Sequence, residues 1–228
     1  MIDSGFLEVI KSRRSIRQYD NRKIDRSDIC KILEAANWAP SACNAQAWHF
    51  IVLDEEEKIN SMVAKGLDKA KDTPVLIFVF YRKYIRRKPI NLHFADYVQS
   101  ASAAIQNMLL MAHNLGIGAC WINGMDIPVN KIIRKPFGYE FIALIKLGYS
   151  KSKEYKIQDR KYSIEEIMSY NNFDLPRRDI LSRKEVFWEI LKIKVKDNPL
   201  MKLLFSLLPS GLFKKNGSGK DIESYKIN

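Results

Sequence analysis

The stretch ADYVQSASAAIQNMLLMAHNLGIGACWIN, Ala95 to Asn123, decides the fold. Val98, Ala101, Ala104, Ile105, Met108, Leu109 and Ala112 recur at helical spacing, which predicts a helix over Ala95–Asn114 with Gly116 as its C-terminal stop. The helix is nearly apolar all round, so it belongs in the centre of the molecule. Ala101, Ser102, Ala103 and Ala104 are small enough to let a neighbour pack closely. Ala119 to Ile122 then reads as a strand, only a few residues after the helix ends.

Working outward, Trp48–Leu53 and Phe141–Leu147 read as further strands. Pro74–Phe80 is a continuous apolar run with β-branched residues, which suits a buried strand. Phe6, Leu7 and Ile10 share a face of a first helix, with Ser4 as N-cap. Asp25 caps a second helix carrying Ile29, Ile32, Leu33 and Ala36, which Pro40 stops. Ser163-Ile164-Glu165-Glu166 is a capping box. Arg82, Lys83, Arg86, Arg87 and Lys88 read as a solvated basic loop. Mixed helices and strands predict an α+β class with helices packed on a sheet.

From about residue 175 the composition changes. Arg177, Arg178, Arg183 and Lys184 flank Val186-Phe187-Trp188, Leu200–Leu208 is almost wholly apolar between Pro199 and Pro209, and Asn216-Gly217-Ser218-Gly219 resembles a linker. The expected division is a domain over 1–174 and a basic, partly apolar extension over 175–228. That extension would clasp a second subunit or lie on an anionic membrane surface.

The chain of 228 residues has 46% hydrophobic residues, enough to bury a sizeable core. Cys30, Cys43 and Cys120 form no Cys-x-x-Cys pair, so neither a disulfide framework nor a zinc site is supported. The first residues lack a signal-peptide pattern and no apolar run is long enough to span a bilayer, so the expected location is cytoplasmic. A net charge of +12 points to an anionic partner. No helix-turn-helix, zinc-finger or aromatic RNA-binding signature accompanies that charge, which argues against nucleic acid.

Three segments carry candidate chemistry. Arg13, Arg14, Ser15 and Arg17 put three guanidinium groups and a hydroxyl within five residues, a donor set suited to phosphate or to a carbonyl-rich ring. Pro40, Ser41, Ala42, Asn44 and Gln46 form a short polar loop between helix and strand. It can hydrogen-bond a ring edge, and it equally fits a helix-stopping turn. Gly116-Ile117-Gly118-Ala119-Cys120-Trp121-Ile122-Asn123-Gly124 permits close backbone approach to a flat ligand, but it is not a Rossmann fingerprint. His49 and His113 read as structural, His93 as a surface residue beside the basic segment, and Cys43 as a small filler.

The order of these segments resembles the nitroreductase family. Arg13-Arg14-Ser15-Ile16-Arg17 matches its opening motif, and Ala39-Pro40-Ser41-Ala42-Cys43-Asn44-Ala45-Gln46-Ala47-Trp48 matches its Ala-Pro-Ser-x-x-Asn-x-Gln-Pro-Trp. Asp96, Gln106-Asn107-Met108 and Gly116-Ile117-Gly118-Ala119-Cys120-Trp121 follow the central-helix pattern, and Gly148-Tyr149 and Arg160 the closing one. Ala47 and Ser150 stand where the family has proline.

The resemblance implies an α-β-α sandwich around a mostly antiparallel sheet, and a homodimer holding FMN at its interface. Arg13 and Arg160 would meet the phosphate, Ser15 the phosphate or ribityl chain, and Arg17 the pyrimidine edge. Pro40, Ser41, Ala42 and Asn44 would come from the partner subunit. Ile122, Asn123 and Gly124 would approach the flavin N5. It further implies ping-pong reduction of a nitroaromatic, quinone or flavin acceptor by NADH or NADPH, with no catalytic side chain and no metal. The alternative is a non-catalytic FMN-binding or redox-sensing module acting through the basic tail.

Overall fold

The sheet is built around Val75–Arg82 (β2), whose residues are buried as far as Tyr81. A computed structural model of the chain describes residues 4–83, 92–123, 129, 133–152, 160, 162–171 and 186. The chain divides into two units, residues 1–158 and 159–228. In the first unit, Trp48–Leu53 (β1) and Tyr139–Gly148 (β4) flank β2, and Gly118–Asn123 (β3) lies beyond β4. The order is β1-β2-β4-β3 and every pairing is antiparallel.

Alternation along β2 and β4 sends side chains to two apolar layers. Val75, Ile77, Val79, Ala143, Ile145 and Leu147 face one side. There they meet Arg26–Asn37 (α2) through Ile29, Ile32 and Ala36, and Phe94–Asn114 (α4) through Ala101, Ala104, Ile105, Met108 and Ala112. Leu76, Phe78, Phe80 and Leu144 face the other side and pack on Ile59 of Glu56–Ala64 (α3) and on Leu67 and Ala70. The result is an α-β-α sandwich. A register shift between Val79 and Phe80 keeps Phe80 opposite Phe141 on the α3 side.

The expected central helix is seen as α4. Its termini are capped at both ends. The Asp96 carboxylate accepts the His93 N–H at 2.8 Å, so His93 opens α4. At the other end, Gly116 takes φ +72, its N–H donates to His113 O, and Ile117 N–H donates to Ala112 O at 2.8 Å. This closing pattern needs a left-handed residue, which glycine supplies without strain. Ala101 and Ala104 are buried in the core that α4 shares with α2 and the sheet, and Asn107 Nδ2 donates to Ala35 O between the two helices.

Several elements differ from the sequence reading. The Ser4–Ser12 helix (α1) leaves its apolar face outward, with Phe6 57% and Leu7 52% exposed. Asp25 stands at the N-cap of α2 but its side chain makes no capping bond. Arg82 belongs to β2 rather than to a basic loop, because its N–H reaches Ala47 O across the strand end at 2.8 Å. Helix α3 was not expected: its first turn is acidic and only Ile59 is buried, so its apolar signal is thin. In the second unit, Ile164–Ile167 forms a short helix (α5), and Ser163 N–H donates to Glu166 as the capping box predicts. The boundary at 174/175, the basic residues 86–88 and the extension's clasp or anchor role fall outside the described residues, apart from Val186. Among the described residues no helix is long and apolar enough to cross a membrane.

One close approach tests the packing at the sheet's end. A Cβ on Gly148 would lie 2.6 Å from the Tyr19 ring, which is held by hydrogen bonds from its hydroxyl to Ile16 O and Lys146 O. Gly148→Ala is expected to destabilise the fold by about 1–3 kcal/mol in urea unfolding. In a Tyr19→Gly background, which also removes the Tyr19 Cβ that would lie 2.8 Å away, the same substitution has a much smaller effect; equal losses in both backgrounds would contradict the clash.

Candidate functional site

Arg13 to Arg17 follow α1 and meet the sheet at the edge of β3. Ser15 forms a parallel bridge with Ala119, and Ile16 N–H donates to Ala119 O at 2.9 Å. Ile16 is buried against Gly118, whose missing side chain makes room for it. Tyr19 bridges Ser150, and Asp20 N–H donates to Tyr149 O. The segment therefore crosses below β3 and β4 along a path fixed by backbone bonds.

That path sets what each candidate presents. Ser15 and Arg17 are exposed, and the Ser15 hydroxyl has no partner among the described residues. Among the described residues, Arg17 makes one long 3.4 Å bond, to Ser15 O. Arg13 is half-buried. Arg14 is turned back: one of its terminal nitrogens donates to Lys11 O and Arg13 O, which closes the end of α1, and its Nε is buried with no partner among the described residues. The set fits a phosphate-bearing ligand, since the exposed Ser15 hydroxyl and Arg17 guanidinium offer donors to an anion.

The polar loop is a short 3-10 turn, Ala42–Asn44, leading into β1. Its conformation is unusual: Cys43, Asn44 and Gln46 take φ of 52°, 51° and 45°. Non-glycine residues in this region are strained and persist where their surroundings enforce it. The enforcing bonds are visible. Ser41 Oγ accepts the Gln46 N–H at 3.1 Å, Gln46 Nε2 donates to Asn44 Oδ1 at 2.7 Å, and Ser100 Oγ on α4 accepts the Ala42 N–H at 3.2 Å. Trp48 Nε1 donates to Asn37 Oδ1, tying the loop's exit to α2. The Asn44 amide and Gln46 carbonyl remain to face outward; both residues are exposed, as are Pro40 and Cys43.

The two groups lie apart. Ser15 sits on the outer edge of β3, whereas the loop precedes β1 at the opposite edge. Three strand spacings separate those edges by about 14 Å, and the six residue steps from Tyr81 (opposite Trp48) to Val75 (opposite Leu147) add about 20 Å along the strands. Ile122 is half-buried and Asn123 exposed at the far end of β3; Gly124 is outside the described residues. Arg160 is exposed in the second unit.

Some contributors carried no sequence signal. Ser100 supports the loop only because helix α4 passes beneath it. His113, at the end of α4, shares a 2.8 Å hydrogen bond with Ser12. Ser12 Oγ already donates to Glu8 O, so the imidazole Nε2 is the donor. This fixes α1 to α4 just ahead of the arginines. His49 stacks edge-on against Tyr139. Ser150, at one of the two proline positions, makes a local turn through bonds to Ser152.

Burial, and then repulsion from Arg13 and Arg14, holds the His113 pKa below its ordinary 6.5. The unfolded chain therefore takes up a proton first, so stability falls as pH drops below about 6.5 and is unaffected above it. His113→Gln, which keeps a donor, is expected to flatten that acid-side loss in pH-dependent urea unfolding; parallel profiles for the two proteins would contradict it.

The profile of the nitroreductase family matches residues 10–149, more than half of the chain. A protein of Archaeoglobus fulgidus provisionally named NADH dehydrogenase/NAD(P)H nitroreductase is 34% identical over 164 residues, 68% of this chain and 91% of that protein. A Methanothermobacter thermautotrophicus protein of the same provisional name is 43% identical over 118 residues, 50% of this chain and 59% of its own length. Among solved structures, a provisionally named nitroreductase from Desulfovibrio desulfuricans in complex with FMN superposes with a TM-score of 0.62 at 27% identity, over 75% of this chain and 99% of that one. With its α-β-α sandwich and this match through both candidate segments, the chain belongs to the nitroreductase family.

Proposed function

We propose that the protein is an FMN-dependent oxidoreductase that uses NADH or NADPH to reduce a small organic acceptor, working as a homodimer with the flavin between its subunits. The observation that carries this reading is the separation of the arginine segment from the strained polar loop. One small ligand does not reach both within a subunit, but a second copy can bring its loop to the first copy's arginines. The outward apolar side chains Phe6, Leu7 and Trp38, the last 81% exposed, supply surface for such a partner.

Within one subunit, β3 runs from the arginine segment to Asn123, about 13 Å along four residues, a length suited to a phosphate at one end and a flat ring at the other. Arg13 binds the phosphate, and Ser15 donates to it or to the ribityl chain. Arg17 holds a positive charge at the pyrimidine edge, where reduction adds negative charge. Pro40, Ser41, Ala42, Asn44 and Gln46 of the other copy bound the ring. Ile122 and Asn123 line its N5 side with backbone groups. Bound there, FMN supplies the redox chemistry, a hydride taken from NADH or NADPH and passed in a ping-pong exchange to a nitroaromatic, quinone or flavin acceptor.

The purified protein is expected to show the absorbance of oxidised flavin, and anaerobic NADH or NADPH is expected to bleach it. A protein that takes up no FMN contradicts the reading. Arg13→Ala is expected to weaken FMN binding about 10- to 100-fold, the value of one charge-assisted hydrogen bond; unchanged affinity would remove Arg13 from the site.

A further inference from the structure

Lys146 is a charged residue in the core. It lies in β4, 7% exposed, on the α3 side of the sheet, directly opposite Cys120 of β3, which is 1% exposed. The Tyr19 ring covers its ammonium at 5.5 Å from the centroid, and the Tyr19 hydroxyl reaches its carbonyl. Among the described residues the ammonium makes no hydrogen bond and no ion pair. Its neighbours in charge are Arg17 from the arginine segment, Cys120 from β3 and Asp72 from the turn before β2. Burial first, and Arg17 in addition, press its pKa down, and Cys120 and Asp72 offset this only in part.

A lysine held largely out of water with an aromatic face as its contact carries a desolvation cost, and such groups concentrate where function needs the charge. The place is informative. Lys146 is one residue from Leu147, which pairs with Ala119, and Ala119 is where Ser15 docks. Two residues after Arg17, the same segment lays the Tyr19 ring over the Lys146 ammonium. We propose that Lys146 is a buried cation of the anion site built by Arg13, Ser15 and Arg17, acting from beneath the segment through its field and without touching the ligand. This rests on the FMN site proposed above.

The role has a signature that a packing role lacks. Replacing the ammonium by an apolar group of similar length should strengthen the empty fold and weaken anion binding at once. The sign with pH follows from the lowered pKa. The penalty is complete below the folded pKa and disappears as pH rises past the ordinary lysine value of 10.5, so the gain from neutralising Lys146 shrinks over the same range.

The test uses full-length apo protein and Lys146→Met, with FMN and inorganic phosphate as separate probes. The variant is expected to bind both about three- to tenfold more weakly at low salt, with the difference narrowing as salt rises. Its urea midpoint without ligand is expected to be higher than wild type near neutral pH, and the two midpoints are expected to converge at alkaline pH. Unchanged affinity for both probes overturns the proposal. So does a variant that is less stable or does not fold, because the ammonium would then support the structure instead of straining it. A wild-type protein that binds neither probe overturns the anion site itself, which is distinguishable from a wild type that binds both and a variant that equals it.

Discussion

The hydrogen bond from Ile16 N–H to Ala119 O, with the Ser15–Ala119 bridge around it, ties the first residues of the fold to the last-placed strand of the sheet. Strand β3 is an edge strand, and this short contact uses part of its open side. The consequences run both ways. Gly118 must stay without a side chain so that Ile16 can be buried, and Gly148 must do the same for Tyr19. In return, three arginines and a serine are held at the start of β3 by a segment that backbone bonds fix in place. Arg14 closes α1, and Ser15 and Arg17 stay open to solvent.

The same economy explains the polar loop. Its three left-handed residues are stabilised from within, by Ser41 on Gln46 and Gln46 on Asn44, and from below by Ser100. The loop is thus prepared before any ligand arrives, which reduces the ordering that binding requires. It stands at the far edge of the sheet from the arginines. Two prepared half-sites on one chain, each incomplete, are the physical reason for reading the protein as a pair of subunits sharing each ligand.

Much of this was legible in the sequence. The period of Val98, Ala101, Ile105, Met108 and Ala112 gives α4, its glycine stop and its central position, because a helix apolar on most sides has nowhere else to go. The buried run Pro74–Phe80 gives the central strand. The candidate segments were recognisable by residue type and order. What was hidden depends on three dimensions. Lys146 looks like an ordinary polar position in an alternating strand until Tyr19, 127 residues away, is seen to cover it. Arg14 is indistinguishable from Arg13 and Arg17 as a letter, and only the turn after α1 separates their roles. Helix α3 was missed because one buried isoleucine is too little apolar signal against an acidic first turn.

The central claim, that each flavin site draws its arginines from one subunit and its loop from the other, is open to a direct measurement. Arg17→Ala and Asn44→Ala chains, each purified and each impaired in FMN binding, are mixed, unfolded together and refolded, and bound flavin is counted. Random reassortment makes half the pairs mixed, and each mixed pair carries one site with both Arg17 and Asn44 intact, so flavin is expected to return to about a quarter of the wild-type sites. Flavin binding in the mixture that stays at the average of the two impaired proteins would show that both groups act within one subunit, or on different ligands, and would contradict the account.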